Sequence, residues 1–471
     1  MHAASRPAPR VGARLPEWMT PSLAVLLVVG ALIAAQAALI TLSRPPIGDT
    51  REYYDYARAF WLGANGSPPF RALPVEYPPL TILPFSLTLL PPVGPFWLHF
   101  MLWTLLATLL GFAAFVRYKG WRRGLAYLVY IAFGATGVLL ARFDLYPALV
   151  TLAALWAAQR RRYPLAYLLL ALGVLLKLYP IFLAPLILIA QWREAGIGEG
   201  LTFARVRSAP AEVARTLLAR LHAPSGLRLL GALGVFVVAL ALGFGVAFAI
   251  NPSGAMTEFV YASARPLQLE STPAALLWLG HFAGFPVREV FTFKSHNLVG
   301  PLDVALKPLS TLALAAGCLW AYLRVAQGRL SLAQGFLAAL SVVVATNKIF
   351  SPQYLIWVTP FVAEVYGFEG LWLAICALTT LIYPTLYYPA GTPLAHLGGS
   401  RLIEPAVALR SVLLLVFAVR VLLRPSPDVS ISDEPGAVNP APEYALLPDT
   451  LKRPAIPRYG PALPEGGRVE S

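Results

Sequence analysis

The sequence predicts an all-α polytopic membrane protein: a bundle of about 12 transmembrane helices with a long first extracytoplasmic loop. Three observations predict the helical membrane class. Of the 471 residues 58% are apolar and 13% charged, far from the balance of soluble domains. Apolar runs such as 21–42, 229–250, 301–323 and 405–423 are each long enough to cross ~30 Å of hydrocarbon as a helix. Basic clusters at Arg6/Arg10/Arg14, Arg117/Lys119/Arg122/Arg123, Arg160/Arg161/Arg162, segment 193–228 and Arg324/Arg329 recur after every second run. The positive-inside rule puts those clusters, and both termini, in the cytoplasm.

Taken in order, the N-terminal residues 1–19 form a cytoplasmic tail, and residues 20–423 form the transmembrane domain. The expected spans are 20–43, 95–116, 124–141, 145–159, 163–177, 179–191, 229–250, 301–323, 331–346, 353–367, 369–387 and 404–423. Several are shorter than ~17 residues, so they stop short of a full crossing or pack beside longer neighbours. The first run is too long for a cleaved secretory signal and has no small-residue cleavage pattern, so it reads as a retained span. The first extracytoplasmic loop covers about 44–94 and a basic cytoplasmic loop about 193–228, where either an amphipathic helix on anionic headgroups or a solvated linker fits. Residues 424–471 hold 10 prolines in 48 residues and read as a disordered cytoplasmic tail.

Several function classes drop out. The net charge of +14 lies in short clusters at the ends of apolar runs, not along one face, which argues against nucleic acid. Cys318 and Cys376 both lie inside apolar runs and read as packing residues, leaving no material for a disulfide framework or a thiolate metal site. The six histidines lack metal-ligand spacing, so neither a metal nor any other cofactor is expected.

The polar motifs hardest to explain as packing fall on one side of the membrane. The first outer loop carries Gly48-Asp49-Thr50, Glu52, Tyr53, Tyr54, Asp55 and Tyr56, then Glu76-Tyr77-Pro78-Pro79. Arg142-Phe143-Asp144 with Tyr146-Pro147, Lys177-Leu178-Tyr179-Pro180, Arg265 with Gln268-Leu269-Glu270-Ser271, and Asn347-Lys348 followed by Ser351-Pro352-Gln353-Tyr354 join them. Singly, each charge is explained as well by snorkelling or a local salt bridge such as Arg142 with Asp144. Converging on one face, they mark a substrate path.

The set combines acids (Asp49, Glu52, Asp55, Glu76, Asp144, Glu270) with cations (Arg142, Lys177, Arg265, Lys348) at the edge of hydrocarbon. Transfer from a lipid phosphate needs both: a carboxylate to accept the proton of an attacking hydroxyl, and cations to stabilise charge on the departing phosphate. Tyr53, Tyr54, Tyr77 and Tyr179 offer rings and hydroxyls to a sugar, although interfacial anchoring is the commoner role of tyrosine at this depth.

These motifs resemble the membrane glycosyltransferases of the GT-C class, and among them glycosyltransferase family 87, whose characterised members are polyprenyl-phosphate-mannose-dependent mannosyltransferases. The resemblance covers roughly residues 20–423. It is carried by Arg142-Phe143-Asp144 with Pro147, Lys177-x-Tyr179-Pro180, Gln268-x-Glu270-Ser271, and Asn347-Lys348 with Ser351-Pro352-Gln353-Tyr354. It implies a GT-C fold and a polyprenyl-phosphate sugar donor, with no metal. It also implies an acidic base in the first outer loop, a place that Asp49 occupies, with Glu76 and Asp144 as further catalytic candidates. Donor phosphate would meet Arg142, Lys177, Arg265 and Lys348, and sugar or acceptor would meet Tyr53, Tyr77, Tyr179, Gln268, Glu270, Asn347 and Gln353. One departure stands out: many GT-C enzymes carry adjacent paired acids after the first span, whereas Asp49 is flanked by Gly48 and Thr50, so Glu52, Asp55 and Glu76 remain rival bases.

The function expected is transfer of a sugar, with mannose favoured, from polyprenyl phosphate to an extracytoplasmic glycolipid, polysaccharide or protein acceptor with inversion. The location expected is the plasma (inner) membrane. The alternative is a secondary transporter or lipid-linked glycan flippase, which would line its path with charges near the bilayer midplane. The motifs sit at span ends instead, and no internal repeat is found.

Overall fold

The structure, a computed structural model, describes residues 19–42, 49–63, 68–200, 203–387 and 402–424. Gly48 and the tail 425–471 lie outside the described residues, as does most of the N-terminal tail. Helix α1 (Met19–Leu42) is followed by α2 (Thr50–Leu62) and the short α3 (Ile82–Ser86). Next come α4 (Phe96–Lys119), α5 (Trp121–Gly134), α6 (Leu145–Gln159), α7 (Tyr163–Leu176) and α8 (Ala184–Glu194). The basic segment holds α9 (Phe203–Ser208) and α10 (Pro210–His222). After α11 (Pro224–Ile250) and α12 (Pro252–Ala264) come β1 (Leu267–Gln268), α13 (Thr272–Phe282), β2 (Arg288–Thr292) and β3 (Ser295–Val299). The chain continues through α14 (Asp303–Ala326), α15 (Leu332–Thr346), α16 (Tyr354–Val365), α17 (Gly370–Thr380) and α18 (Ile403–Leu423).

Among the described residues four helices, α4, α11, α14 and α18, are long and apolar enough to cross a membrane; the other apolar helices are shorter. Local chemistry sets their ends. Proline occupies the first turn of α7, α8, α11 and α12, where its missing N–H costs nothing. Ser331 and Gln334 form a reciprocal capping box at the start of α15. Gly120, at φ 88°, reverses the chain between α4 and α5.

Burial separates a protein core from a lipid-facing surface. Every residue of α15 from Ala333 to Ala345 and of α16 from Leu355 to Glu364 is buried, which explains why these segments are apolar all round. By contrast, only 11% of the apolar stretch of α11 or α14 is buried. Their outward Val237, Val238, Leu242, Leu312 and Leu319 are exposed, an apolar surface that water does not tolerate but hydrocarbon does. Close contacts hold the core: a Cβ at Gly134 would lie 2.5 Å from Cys376 Sγ, and one at Gly317 2.6 Å from Val342 Cγ1. Cys318 and Cys376 are both free and buried.

Three expected spans are interrupted. The segment 124–141 leaves the helix after Gly134 and turns through Gly137 (φ 80°) into a 3₁₀ turn at Leu139–Ala141. The segment 179–191 starts as a 3₁₀ turn, Tyr179–Leu183, because Pro180 and Pro185 sit where hydrogen bonds would be donated. The segment 369–387 kinks at Tyr383, whose φ/ψ of −126°/126° precedes Pro384. One element is added to the helices: a small antiparallel sheet of order β1-β3-β2.

Because α6 and α16 run from the motif-bearing end to the basic end and α7 and α15 return, the bundle has two chemically different ends. The basic end ties its buried acids to cations. Lys119 Nζ lies 2.5 Å from Glu364, which also accepts from Trp156 Nε1 at 3.1 Å, and Arg420 grips Glu369 through two contacts of 2.7 and 3.0 Å.

Candidate active site

At the other end a cavity of about 390 Å³ opens among α2, α7, α12, the β2–β3 hairpin and the 347–353 segment. Its acidic side is built first. Asp49 stands immediately before α2, where its carbonyl accepts the Tyr53 amide at 3.0 Å. Its carboxylate pairs with Arg142 and accepts from the Tyr77 hydroxyl at 3.4 Å. Arg142 reaches it from extended backbone between the 3₁₀ turn and α6. A charge-assisted pair of this kind fixes the carboxylate in direction.

The hairpin closes that side. Phe293 and Lys294 form its two-residue turn between Thr292 and Ser295, both at positive φ (52° and 54°). Asn-Gly would occupy such a turn with less strain. The residues present instead both line the cavity, a case of strain kept at a site. Lys294 Nζ bridges Glu52 at 2.7 Å and Glu76 at 3.1 Å. Partial burial opposes the Lys294 charge, but the hydrogen bonds to these two carboxylates outweigh it and raise its pKa. The Tyr261 hydroxyl donates to the Phe293 carbonyl at 3.0 Å and steadies the turn from α12.

The opposite side is cationic and aromatic. Lys177 follows α7, with Nζ 3.3 Å from Asp144 Oδ1 and 4.6 Å from the Phe143 ring centroid. Trp357 Nε1 donates to the same Asp144 oxygen at 2.7 Å, while Tyr179 and Tyr354 stack on the Trp357 ring at 4.4 and 3.9 Å. Lys348 Nζ donates to the carbonyls of Ser263 and Arg265 at 2.9 and 3.2 Å, capping the C-terminal end of α12. Burial, and then the nearby Lys307 and Arg265, lower the Lys348 pKa. Arg265 donates to Ser295 Oγ at 3.0 Å. Among the described residues neither Arg265 nor Lys348 has a carboxylate partner, so both keep charge to offer an anion.

Of the expected site residues, Asp49, Glu76, Arg142, Lys177, Arg265, Lys348, Tyr77, Tyr179, Gln268, Asn347 and Gln353 line this one cavity. Three others sit elsewhere. Asp144 is 1% exposed and lies behind the wall, orienting Lys177 and Trp357. Tyr53 is fully buried, stacked on Phe85 at 4.2 Å. Glu270 is buried against Arg410, which contacts its carboxylate at 2.8 Å and its carbonyl at 2.6 Å.

Sequence reasoning passed over several cavity residues, among them Lys294, Trp357 and Glu258. Lys294 sits in a turn without a turn signature, Trp357 inside an apolar run, and Glu258 alone in α12. Glu258 lines the cavity, and burial raises its pKa to about 8, with Lys177 pulling it down. A second opening of about 600 Å³, lined by Arg51, Asp55, Tyr56 and Leu73, shares Asp49, Glu52 and Lys294 with the first. Among the described residues no group of three His, Cys, Asp or Glu is placed to hold a metal ion.

A family model described as glycosyltransferase family 87 matches residues 76–214, the segment that contributes Glu76, Tyr77, Arg142, Lys177 and Tyr179 to the cavity. Among solved structures the chain is similar to the crystal structure of ArnT from Cupriavidus metallidurans in the apo state, at 16% identity over 86% of this chain and 77% of that one, with a TM-score of 0.39. No curated protein matches the chain. The segment that carries Arg142, Asp144, Lys177 and Tyr179 is thus the part of this polytopic chain that resembles glycosyltransferase family 87.

Proposed function

We propose that the cavity transfers a sugar, with mannose the favoured one, from a polyprenyl-phosphate donor to the hydroxyl of an extracytoplasmic glycolipid, polysaccharide or protein glycan. The observation that carries this reading is the pairing, in one cavity, of a fixed carboxylate at Asp49 with two cations, Arg265 and Lys348, that have no carboxylate partner among the described residues. Donor phosphate lies against Lys177, Arg265 and Lys348, and the aromatic stack of Tyr179, Trp357 and Tyr354 faces the sugar. The acceptor enters by the second opening, which also reaches Asp49. Its hydroxyl oxygen bonds to the anomeric carbon as the carbon–oxygen bond to phosphate breaks. The proton passes to Asp49 and polyprenyl phosphate departs, so a single displacement inverts the anomeric centre.

In this reading residues 20–423 are the catalytic domain, the cavity faces the extracytoplasmic side of the plasma membrane, and both termini are cytoplasmic. A cysteine at Val75 then reacts with an impermeant thiol reagent added to intact cells, and one at Glu199 does not; both native cysteines are buried. The chemistry is tested with purified protein and radiolabelled polyprenyl-phosphate mannose. Asp49→Asn is expected to lower turnover by about 10²-fold or more with donor binding retained, since a positioned base contributes about 10²–10⁴-fold. Normal turnover of Asp49→Asn with a dead Glu76→Gln variant would move the base to Glu76. Donor movement across vesicles without sugar transfer would make the protein a flippase.

A further inference from the structure

We propose that α10 is an interfacial helix that docks on an anionic phospholipid leaflet, with Leu218 at the acyl boundary and Arg207, Arg215 and Arg228 against lipid phosphates. The surface lies at the basic end of the bundle, away from the cavity.

Depth along the membrane normal is set by α11. Its 27 residues rise about 40 Å, roughly 10 Å more than the hydrocarbon they cross. The charge-free stretch 229–250 fills the hydrocarbon, so the first turn of α11, up to Arg228, lies at headgroup depth. Only Ala223 separates that turn from the end of α10. A Cβ at Gly226 would lie 2.4 Å from the Arg220 carbonyl oxygen and 2.5 Å from Leu221 Cα, so the two helices meet backbone to backbone at their junction. On the inner side of α10, Val213 is buried and Arg220 Nη1 donates to the carbonyls of Ile197 and Glu199 at 2.8 and 2.7 Å. The helix is fixed to the bundle at headgroup depth and does not trail from it as a solvated linker.

Its outer side is apolar and cationic. Leu218 is 56% exposed, and Leu227 and Leu230 in the first turns of α11 are exposed as well. Leu227, Leu230, Val237, Val238 and Leu242 share one face of α11, so the hydrocarbon-facing surface runs out to the helix junction, within about one turn of Leu218. Charge borders it: residues 203–230 hold five arginines and one glutamate. Glu212 pairs with Arg205 at 2.7 Å, and Arg220 is engaged with the carbonyls named above. Arg207, Arg215 and Arg228 are exposed and have no carboxylate partner among the described residues. Arg215 and Arg228 bond to carbonyls of their own helices, Ala211 at 3.4 Å and Pro224 at 3.2 Å. An arginine lays its stem along apolar surface and keeps its guanidinium at phosphate level, so this edge of leucine and arginine matches a leaflet of negative headgroups.

The test uses the full chain in phosphatidylcholine nanodiscs that carry a fixed fraction of lipid brominated on its acyl chains, either phosphatidylglycerol or phosphatidylcholine. A bimane fluorophore is attached at Leu218→Cys or at Glu212→Cys, about 120° round the same helix; both native cysteines are buried. Bromine quenches the fluorophore only on contact. At position 218 the brominated phosphatidylglycerol is expected to quench at least about threefold more than the brominated phosphatidylcholine, and the preference is expected to shrink as salt is raised. At position 212 neither lipid is expected to quench. Changing Arg207, Arg215 and Arg228 together to glutamine is expected to remove the preference, and changing them together to lysine to keep it, because attraction to the leaflet needs charge and not a planar fork.

Equal quenching at positions 218 and 212, or none at either, overturns the docking. Equal quenching by the two lipids at position 218 overturns the recognition of anionic headgroups, as does a preference that survives the glutamine changes. A preference insensitive to salt, measured with all three arginines in place, is equally fatal. Relief of quenching by added soluble polyglutamate would give the surface to an acidic protein and overturn the assignment to lipid.

Discussion

Arg410→Met removes one half of the most deeply buried ion pair among the described residues. Arg410 is 0% exposed, contacts the Glu270 carboxylate at 2.8 Å and carbonyl at 2.6 Å, and lies 3.9 Å from the Phe350 ring centroid. Deleting one partner of a buried pair typically costs about 3–5 kcal/mol because the other charge is stranded, and the desolvated cation–π contact adds up to about 2 kcal/mol. Against a total stability of about 5–15 kcal/mol, that is a large share. Replacing both partners by apolar residues, Glu270→Leu with Arg410→Met, removes the stranded charge and is expected to recover most of the loss. The measurement is equilibrium unfolding of purified protein in mixed micelles of increasing SDS fraction, followed by tryptophan fluorescence. A single variant within about 0.5 kcal/mol of wild type would refute the buried pair. A double variant as unstable as the single would refute stranded charge as the cause. Glu270 does not line the cavity, so the double variant is expected to transfer sugar within about threefold of wild type; a stable but inactive double variant would return Glu270 to substrate binding.

Lys177→Ala is expected to raise the donor KM more than it lowers kcat, and Lys177→Arg to retain more activity, in steady-state assays at varied donor concentration. Lys294→Met is expected to change global stability by less than about 1 kcal/mol, since the side chain is 65% exposed. It leaves Glu52 and Glu76 unbridged, so a cysteine at Phe293 is expected to react faster with thiol reagents in that background. Gly134→Val drives a side chain into Cys376 and is expected to cost about 1–3 kcal/mol in the same unfolding assay.

The bundle was legible because its signal is coarse. Runs 145–159 and 331–346 are predominantly apolar, and they hold α6 and α15, the latter buried from Ala333 to Ala345. Most of the cavity was legible for a related reason: Arg142, Lys177 and Lys348 are charges directly abutting apolar runs, where the cost of desolvation makes an unexplained charge conspicuous. What escaped notice lacked that contrast. Glu258 stands in a short stretch of mixed polar and apolar residues that matches no motif, and Phe293-Lys294 has no turn signature. The partner of Glu270 was hidden because Arg410 interrupts a span that otherwise reads as lipid-facing, and only its distance from Glu270 across 140 positions reveals the pair.

The Lys294 bridge has a consequence for biogenesis. Glu52 and Glu76 are translated 242 and 218 residues before the lysine that joins them, while Asp49 needs only Arg142, 93 residues on. A chain emerging into the membrane therefore completes the corner that holds Asp49 and Arg142 early, and carries two unbridged carboxylates until the hairpin arrives. The cavity wall closes only when more than half of the protein has been inserted, so a nascent chain holds the carboxylate of Asp49 in its final pairing well before it has a chamber in which to use it.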